Sequence, residues 1–416
     1  MAEATSLILQ DSREDSVSNC QKLCKIGSED MISRLPDDIL CHILSFLPTK
    51  YVMGTSILSK RWIYLWTKVS NLDFDDTLLY DREKPRATGE RNAVFANFIN
   101  RFFIHYNVQS FVKFKLKLTE KHHSSHLSAW ISAAIMSNVE ELSLCIRFGP
   151  AWLPESLFSC EKLLALKLHG EIEFNNLESV WFPNLKVLHL KCLPMLDNTC
   201  IAMLLSGSPV LEELKIYLIG HGCNQSVHVS SSSLKRLIMQ FPSADSPYDD
   251  KDYRRVTVDT PSLEFLKLHD YASEEVNMLQ ACSLIQADIS VGYLIGSFTI
   301  EFDDYVGMVV QFLRQISVVK ALILSEDPIQ SENAYGWDWC APESVPKCLL
   351  SCLEVIEFKD FIGEVPEMEM VEYFLKNAMV LKKMIVSSDV VGLEEEVVKK
   401  LQFFPRGSSA CQLAFS

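Results

Sequence analysis

FPNLKVLHL (182–190), SPVLEELKI (208–216) and TPSLEFLKL (260–268) repeat one pattern along the chain. Each stretch places proline two residues before a leucine, a charged residue directly after that leucine, and apolar residues three and five positions further on. Proline fixes φ and cannot donate to a β-ladder, so it marks the point where the chain enters a strand. Because side chains alternate across a strand, the pattern predicts short β-strands with one apolar face each.

The same apolar spacing recurs along most of the chain, which indicates a repeat. The template apolar-x-x-apolar-x-apolar starts at Phe111, Val139, Leu163, Leu185, Leu211, Leu234, Leu263, Leu284, Val319, Leu353 and Leu381. Most intervals between successive starts fall in the range of about 20–29 residues that is typical of leucine-rich repeats. Since one such unit cannot bury its own apolar face, the units are expected to stack.

The residues between these strands form the segments that connect each strand to the next strand. CIAMLLSGSP (200–209) has helical apolar spacing and ends at Gly207 before Pro209, as a helix does. We therefore predict an α/β fold in which residues 95–341 form an irregular leucine-rich-repeat solenoid. This would be a horseshoe of short parallel strands with helical or irregular segments on its convex side. An ordinary α/β domain with amphipathic strands is the alternative.

A different pattern lies upstream, in DMISRLPDDILCHILSFLPTKYVMGTSILSKRWIYLWTKV (30–69). Ser33, Thr49 and Ser59 are candidate N-caps for three short helices, and Pro36 suits a first helical turn while Pro48 ends the first helix. So small a bundle buries little core, yet the segment is rich in leucine, isoleucine and tryptophan. The apolar residues that this small core cannot bury predict an exposed surface that docks another protein. The alternative is that they pack onto the repeats, so that the segment caps the solenoid.

This segment closely resembles the F-box in the plant form that precedes leucine-rich repeats. The resemblance is carried by Leu35-Pro36, Ile39-Leu40, Ile43-Leu44, Leu47-Pro48, Val52, Ser56, Leu58-Ser59-Lys60-Arg61-Trp62 and Leu65-Trp66. It implies that the segment binds a Skp-type adaptor through Leu35, Pro36, Ile39, Leu40, Ile43, Leu44, Leu47, Pro48, Leu58, Trp62, Leu65 and Trp66. The adaptor would join the chain to a cullin–RING ubiquitin ligase, the SCF complex, while the repeats hold a target protein for ubiquitination.

A second resemblance lies in SVPKCLLSCLEVIEFKDFIGEVPEMEMVEYFLKNAMVLKKMIV (344–386), which looks like the FBD domain of plant F-box proteins. Its pattern predicts a strand at 354–358, a helix at about 367–378 and a strand at 384–387, an α/β cap for the repeats. The predicted organisation is a disordered tail (1–30), an F-box (31–75), a linker or loop (76–94), leucine-rich repeats (95–341), an FBD domain (342–390) and a C-terminal tail (391–416).

Composition limits the other function classes. Lys and Arg number 39 against 54 Asp and Glu, a net charge of −15, which argues against partners such as nucleic acid or a membrane surface. Thirteen cysteines without a secretory signal predict reduced thiols and an intracellular protein of the cytoplasm or nucleus. The pairs Cys20/Cys24 and Cys348/Cys352 lack further metal ligands, and the histidines of KHHSSHLS (121–128) are typical of a polar loop.

No nucleophile, phosphate-binding or zinc-protease motif is present, so we expect a non-catalytic receptor subunit with no cofactor and no metal. If the template is in register, the concave side of the repeats carries Lys167, His169, His189, Lys191, Lys215, Tyr217, Arg236, Lys267 and His269. This stripe predicts an acidic or phosphorylated target, although such residues also simply solubilise an exposed sheet. Two alternatives stay open: a sensor that binds a small hormone or polyanion in the concavity, and an F-box scaffold outside any ligase.

Overall fold

A computed structural model describes residues 32–79, 87–106, 111–174, 177–191, 193, 196–218, 226–241, 254–270, 273–291, 311–325, 344–363, 365–388 and 393–416. The chain divides into two compact units, Met1–Leu166 and Lys167–Ser416. The expected tail at residues 1–30 lies outside the described residues. The predicted fold class is confirmed, because a helical N-terminal region precedes parallel strands of the repeat region.

The first unit begins with short helical segments. They are a 3₁₀ turn at Ile32–Arg34, α1 (Asp37–Leu44), α2 (Thr49–Gly54) and 3₁₀ segments at Thr55–Ile57 and Trp62–Lys68. The expected caps are wrong in detail, since Pro36 and Pro48 occupy the N-cap positions of α1 and α2 and neither cap uses a side chain. The third segment is a 3₁₀ helix that begins after Arg61, and Ser59 contributes only its carbonyl, which accepts from the N–H of Trp62.

The same unit then enters three parallel strands joined by helices. The elements are β1 (Asn71–Asp75), a 3₁₀ turn (Asp76–Leu79), α3 (Thr88–His105), β2 (Lys113–Leu118), α4 (Ser124–Met136), β3 (Glu141–Trp152) and a 3₁₀ turn (Glu155–Ser159). β1 pairs with β2, and β2 pairs with β3. The linker expected at 76–94 is therefore shorter, because 76–79 and 88–94 are helical and residues 80–86 lie outside the described residues.

The second unit continues the parallel arrangement, and β4 (Ala165–Glu173) lies at the boundary between the units. Its strands are β5 (Val187–Lys191), β6 (Glu213–Tyr217), β7 (Val227–Ser230), β8 (Arg236–Phe241), β9 (Arg254–Asp259), β10 (Phe265–Asp270), β11 (Ser273–Met278), β12 (Gln286–Val291), β13 (Ala321–Ser325), β14 (Val355–Lys359), β15 (Lys383–Val386) and β16 (Gln412–Phe415). The order β5-β6-β8-β10-β12-β13-β14-β15-β16 forms the main sheet of this unit, while β11-β9-β7 forms a small second sheet that the sequence pattern did not predict.

The repeat template is confirmed position by position. All eleven of its starting residues, from Phe111 to Leu381, are buried, and each lies two positions before a strand. In several repeats the charged residue that follows the start forms an ion pair with its counterpart in a neighbouring repeat. Lys186 and Lys235 both contact Glu212 at 3.2 Å, and Lys382 contacts Glu354 at 2.7 Å. These repeats therefore stack in register, with complementary charges lined up where the strands begin.

The remaining helices of the second unit are α5 (Asn198–Ser206), α6 (Lys347–Ser351), α7 (Val365–Asn377) and α8 (Glu395–Phe403), and residues 311–315 are also helical. α5 confirms the predicted helix, with Asp197 as N-cap, accepting from the N–H of Cys200, and Gly207 as C-cap. β14, α7 and β15 confirm the strand, helix and strand predicted for 354–387. The C-terminal tail expected at 391–416 is wrong, because its described residues form α8 and β16.

Candidate protein-interaction surfaces

The N-terminal helices have a small apolar core of their own. Its buried members are Leu40, Leu44, Val52, Trp62, Leu65 and Val69, with Leu35, Cys41 and Trp66 packed against them. This core also meets the rest of the first unit. The ring of Trp66 lies 5.5 Å from that of Phe102 on α3, and the Tyr106 hydroxyl donates to the carbonyl of Val69 at 2.6 Å. One side of the helical segment is thus fixed by packing.

The other side of these helices carries large apolar side chains that remain exposed. Ile39 and Ile43 on α1 are each 46% exposed, Phe46 is 75% exposed and Leu58 is 63% exposed. Ile32, Leu47, Tyr51, Ile57, Ile63 and Tyr64 are exposed as well. We call this set of ten side chains the apolar helix surface. Since exposed apolar residues normally occur singly, such a set within one short segment is typical of a protein-docking surface.

The residues expected to bind an adaptor divide into two groups. Pro36, Ile39, Ile43, Leu47 and Leu58 are exposed, whereas Leu35, Pro48 and Trp66 are half-buried. Leu40, Leu44, Trp62 and Leu65 are core residues instead, so they support the surface from beneath and do not form it. Six further members of the surface were not predicted, because they lie outside α1, in the flanking turns and the later helical segments: Ile32, Phe46, Tyr51, Ile57, Ile63 and Tyr64.

A charge cluster joins the first and third helical segments. Arg61 Nη2 and Lys68 Nζ contact the Asp37 carboxylate at 2.7 and 2.9 Å, and Arg61 also donates to the carbonyl of Leu35. Hydrogen bonds from Arg61 and Lys68 hold the pKa of Asp37 below its usual value, and Asp37 raises the pKa of Lys68. All three charges therefore persist at neutral pH, tying the start of α1 to the segment that carries Trp62.

The second candidate surface lies in the repeats. It consists of the side chains of β4, β5, β6, β8, β10 and β12 that alternate with buried leucines, and we call it the open face. Across neighbouring strands, its rows bring His189, Lys215, Ile238, Lys267 and Asp288 into one line and Lys191, Tyr217, Gln240, His269 and Ser290 into the next. Lys167 and His169 stand on β4, the neighbour of β5 in sheet order.

Glu213 gathers three of the predicted basic residues around its carboxylate. His189 Nε2 lies 2.7 Å, Lys215 Nζ 3.0 Å and Arg236 Nε 3.6 Å from its oxygens. Burial raises the pKa of Glu213, but hydrogen bonds from Lys215 and His189 outweigh it and lower the pKa overall. Burial also lowers the pKa of His189, so His189 is neutral at pH 7 and donates its Nε2–H to Glu213.

Asp288, at the β12 end of the open face, also has predicted basic residues around its carboxylate. Lys267 Nζ contacts its carboxylate at 2.8 Å and His269 Nε2 at 3.7 Å. Burial raises the pKa of Asp288, but the hydrogen bond from Lys267 and the nearby His269 outweigh it and lower the pKa overall. Five of the nine residues predicted to face a target are thus paired with a carboxylate. The prediction missed Glu213 and Asp288, although they occupy the same template positions as Arg236 and Lys267, because it selected only basic residues, histidines and a tyrosine.

The remaining predicted residues stand at the start of the open face. Among the described residues, neither Lys167 nor Lys191 has a carboxylate within ion-pair distance, and the ammonium of Lys191 lies 4.9 Å from the centre of the Tyr217 ring. The Arg236 guanidinium also stacks on Phe265, 3.8 Å from the ring centre. Lys167 on β4 and Lys191 on β5 are therefore the cations of the open face without a direct ion pair among the described residues, although Glu171 and Glu173 also lie on β4.

The polar loop predicted for the histidines of residues 121–128 is wrong, because α4 begins at Ser124 and contains His126, and the His122 side chain is only 2% exposed. The His122 ring packs near Phe95 and Trp130 and lies 3.4 Å from the carboxylate of Asp76, while His126 stacks on Trp130. Within the described part of the chain, no group of three or more His, Cys, Asp or Glu side chains is placed to hold a metal ion. Nor does any described helix combine the length and apolar character that a membrane span requires.

Comparison with known families assigns these surfaces to recognised domains. The F-box domain model matches residues 32–74, the model of the leucine-rich repeats of FBD-associated F-box protein At5g56370 matches residues 127–325, and the FBD model matches residues 341–386. The three models match in the order F-box, leucine-rich repeats and FBD, which is the order that the resemblance indicated. Chains of this class are generally non-catalytic adaptors for protein interactions.

Plant relatives are similar to this chain over their whole length. FBD-associated F-box protein At4g10400 from Arabidopsis thaliana is 28% identical over 93% of this chain and 100% of its own length. F-box/FBD/LRR-repeat protein At5g56420 from the same plant is 28% identical over 94% of this chain and its whole length. F-box/FBD/LRR-repeat protein At4g26340, also from Arabidopsis thaliana, is 29% identical over 93% of this chain and 100% of its own length.

Proposed function

We propose that this chain is the target-recognition subunit of an SCF-type ubiquitin ligase. The apolar helix surface docks a Skp-type adaptor, and the open face holds a protein to be ubiquitinated. The F-box (31–75), repeat (95–341) and FBD (342–390) boundaries expected from the sequence belong to the same proposal. The chain then acts by proximity, raising the effective concentration of target lysines near the ligase, and needs no nucleophile of its own.

The observation that carries the proposal is the division of α1 into two stripes. Leu40 and Leu44 are 0% and 2% exposed in the core, while Ile39 and Ile43, on the adjacent stripe of the helix, are each 46% exposed. A helix with both stripes apolar has a second apolar surface to cover, and nothing in the described part of the chain covers it. Interface energy concentrates in such clustered apolar and aromatic side chains.

The test is co-expression of the full chain with a Skp-type adaptor and a cullin, followed by affinity purification. The double variant Ile43→Asp/Phe46→Asp should lose most of the adaptor, because both charges fall on the apolar helix surface while the core is untouched. Met136→Asp is the matched control, since Met136 is 83% exposed in the same unit but lies outside the F-box match. It should retain the adaptor at the wild-type level.

Two outcomes would count against the proposal. Full adaptor recovery by a folded Ile43→Asp/Phe46→Asp variant would remove the apolar helix surface as the docking site. Recovery of adaptor without any cullin would instead favour a scaffold that works outside a ligase. Proximity labelling with and without a proteasome inhibitor tests target recognition. Labelled proteins that become more abundant under inhibition with the wild-type chain, but not with the double variant, would support it.

A further inference from the structure

We propose that the open face binds an acidic segment of the target protein, anchored by Lys167 and Lys191 at the β4–β5 end of the face. This inference rests on the proposed function and adds the chemical class of the target. It also narrows the anchoring residues to two of the nine basic or polar residues that the sequence pattern singled out.

The charge balance of the open face is positive. Its five fixed cations are Lys167, Lys191, Lys215, Arg236 and Lys267, and its four described carboxylates are Glu171, Glu173, Glu213 and Asp288. The excess is positive even though the chain as a whole carries −15. A local excess of cations on an acidic protein selects anionic segments and steers them to this face.

Only some of these cations are available to a target. Lys215, Arg236 and Lys267 already contact carboxylates of the chain itself, at 3.0, 3.6 and 2.8 Å. A target carboxylate would gain little from them, because it would have to compete with an intramolecular partner. Lys167 and Lys191 are exposed and have no carboxylate partner among the described residues. Lys191 lies on β5 two residues after His189, which contacts Glu213.

The surroundings of Lys191 indicate what kind of segment fits. Adjacent strands are about 4.8 Å apart, and Lys167 and Lys191 occupy template positions two residues apart on the neighbouring strands β4 and β5. As diagonal neighbours with long side chains, they can approach one carboxylate or two acidic residues of one segment. The Tyr217 ring lies beside the Lys191 ammonium, at 4.9 Å. Ile238 and Phe265 continue the face on β8 and β10, both half-buried. The face therefore suits a segment in which acidic residues are followed by an apolar side chain.

The cluster around Glu213 demonstrates that this face accommodates a carboxylate. Three cationic or hydrogen-bond-donating side chains from three neighbouring strands converge on Glu213, and its pKa is lowered despite burial. The geometry of the sheet thus stabilises a carboxylate between strands, and Lys167 with Lys191 offers a second such position without an occupant from the described chain.

The experiment uses the full chain and fluorescein-labelled peptides of about ten residues, the length that crosses several strands. One peptide alternates glutamate with valine, a second replaces glutamate by phosphoserine, and a third replaces it by lysine. Fluorescence anisotropy should show binding of the first two and not of the third. The stronger of the two anionic peptides then tells whether carboxylate or phosphate is preferred, and either preference supports the anion site.

Two double variants with the same net charge separate the site from overall electrostatics. Lys167→Gln/Lys191→Gln should weaken binding of the glutamate peptide roughly three- to tenfold, the effect of two exposed ion pairs. Lys186→Gln/Lys235→Gln removes two positive charges that contact Glu212 at the strand entrances, and it should change the affinity less than about twofold. Glu213→Gln should tighten binding, because it releases Lys215 and Arg236.

Any of three results would overturn the proposal. The two double variants could weaken binding of the glutamate peptide equally, or the lysine peptide could bind as well as the glutamate peptide. The third result is weaker binding of the glutamate peptide by Glu213→Gln than by wild type. Recovery of the adaptor, measured on the same preparations, distinguishes this failure from failure of the proposed function. Normal adaptor and cullin recovery with no preference for the acidic peptides would refute the acidic-segment proposal alone. Selective peptide binding without adaptor recovery would refute the ligase role and leave the peptide site standing.

Discussion

The side-chain hydroxyl of Thr49, in the first turn of α2, accepts a hydrogen bond of 2.8 Å from the main-chain N–H of Asp73 in β1. Thr49 is buried, and β1 pairs with β2 on its other side, so this bond satisfies a donor on the outer edge of the strand. The adjacent Lys50 ammonium donates to the carbonyl of Leu78 at 2.6 Å. The F-box helices are therefore joined to β1 and the turn after it by hydrogen bonds between side chains and main-chain groups, as well as by apolar packing.

Replacing Thr49 by valine should loosen this junction. The substitution keeps the shape of the side chain but leaves the N–H of Asp73 without its partner, at a cost of about 1–3 kcal/mol. Hydrogen–deuterium exchange followed by mass spectrometry should show faster exchange in peptides that contain residues 71–75. Thr67→Val is the control, because Thr67 only donates to the carbonyl of Tyr64 within its own turn. Equal protection of residues 71–75 in Thr49→Val and wild type would contradict the role assigned to Thr49.

Acid should weaken the first unit through Asp76. This buried carboxylate accepts from the N–H groups of Thr119 and Glu120, from the Thr119 hydroxyl and from His122 Nε2, at 2.7 to 3.4 Å. Burial alone would raise the pKa of Asp76, but these hydrogen bonds lower it below 3.8. A depressed pKa contributes stability that is present above the unfolded value, near pH 4, and is lost as pH falls below it.

The corresponding variant is Asp76→Asn, which retains the size of the side chain. At pH 7 it should be less stable than wild type by roughly 2 kcal/mol, because one amide group cannot accept all of these hydrogen bonds. Its loss of stability between pH 5 and about pH 3 should be smaller than that of wild type. Urea titrations at several pH values, monitored by tryptophan fluorescence, provide the comparison. An identical pH slope in both proteins would rule out Asp76 as the group responsible.

Neighbouring residues on α1 should differ sharply when truncated. Leu44→Ala removes a core side chain and should destabilise the F-box helices by about 2–5 kcal/mol. Ile43→Ala, at an exposed position, should change stability by less than about 0.5 kcal/mol while still weakening adaptor binding. Limited proteolysis reports the first effect and co-purification reports the second. Comparable protease sensitivity of the two variants would mean that the division into core and surface stripes is wrong.

The sequence predicted the phase of the repeats because burial in a strand has a period of two. Once Leu185, Leu211 and Leu263 were aligned, the inward-facing positions of the eleven strands that follow the template could be assigned. β16 and the small sheet of β7, β9 and β11 were missed because they lack the template of a buried leucine two positions before the strand. The adaptor surface was only partly predicted, since Ile43 and Leu44 are adjacent on a helix and both apolar. Glu213 was missed because pairing between strands depends on register, which requires the folded sheet.

Gly207 and Gly54 should respond in opposite directions to an added methyl group. A Cβ atom on Gly207 would lie 2.4 Å from the carbonyl oxygen of Val180, a backbone group that cannot rotate away, so Gly207→Ala should destabilise the second unit by about 1–3 kcal/mol. The close approach is part of the packing that precedes β5, because Phe182 donates its N–H to the carbonyl of Gly207 at 2.7 Å.

Gly54 ends α2, and a Cβ atom added there would meet no other atom within 4 Å. Gly54→Ala should therefore stabilise its helix by up to about 1 kcal/mol, since alanine restricts the unfolded chain more than glycine does. Thermal unfolding of both variants measures the two shifts against wild type. The prediction assumes that the backbone of Val180 cannot move away from the added Cβ atom of residue 207. A Gly207→Ala protein as stable as wild type would contradict it, because α5 and the entrance to β5 would then move apart at little cost.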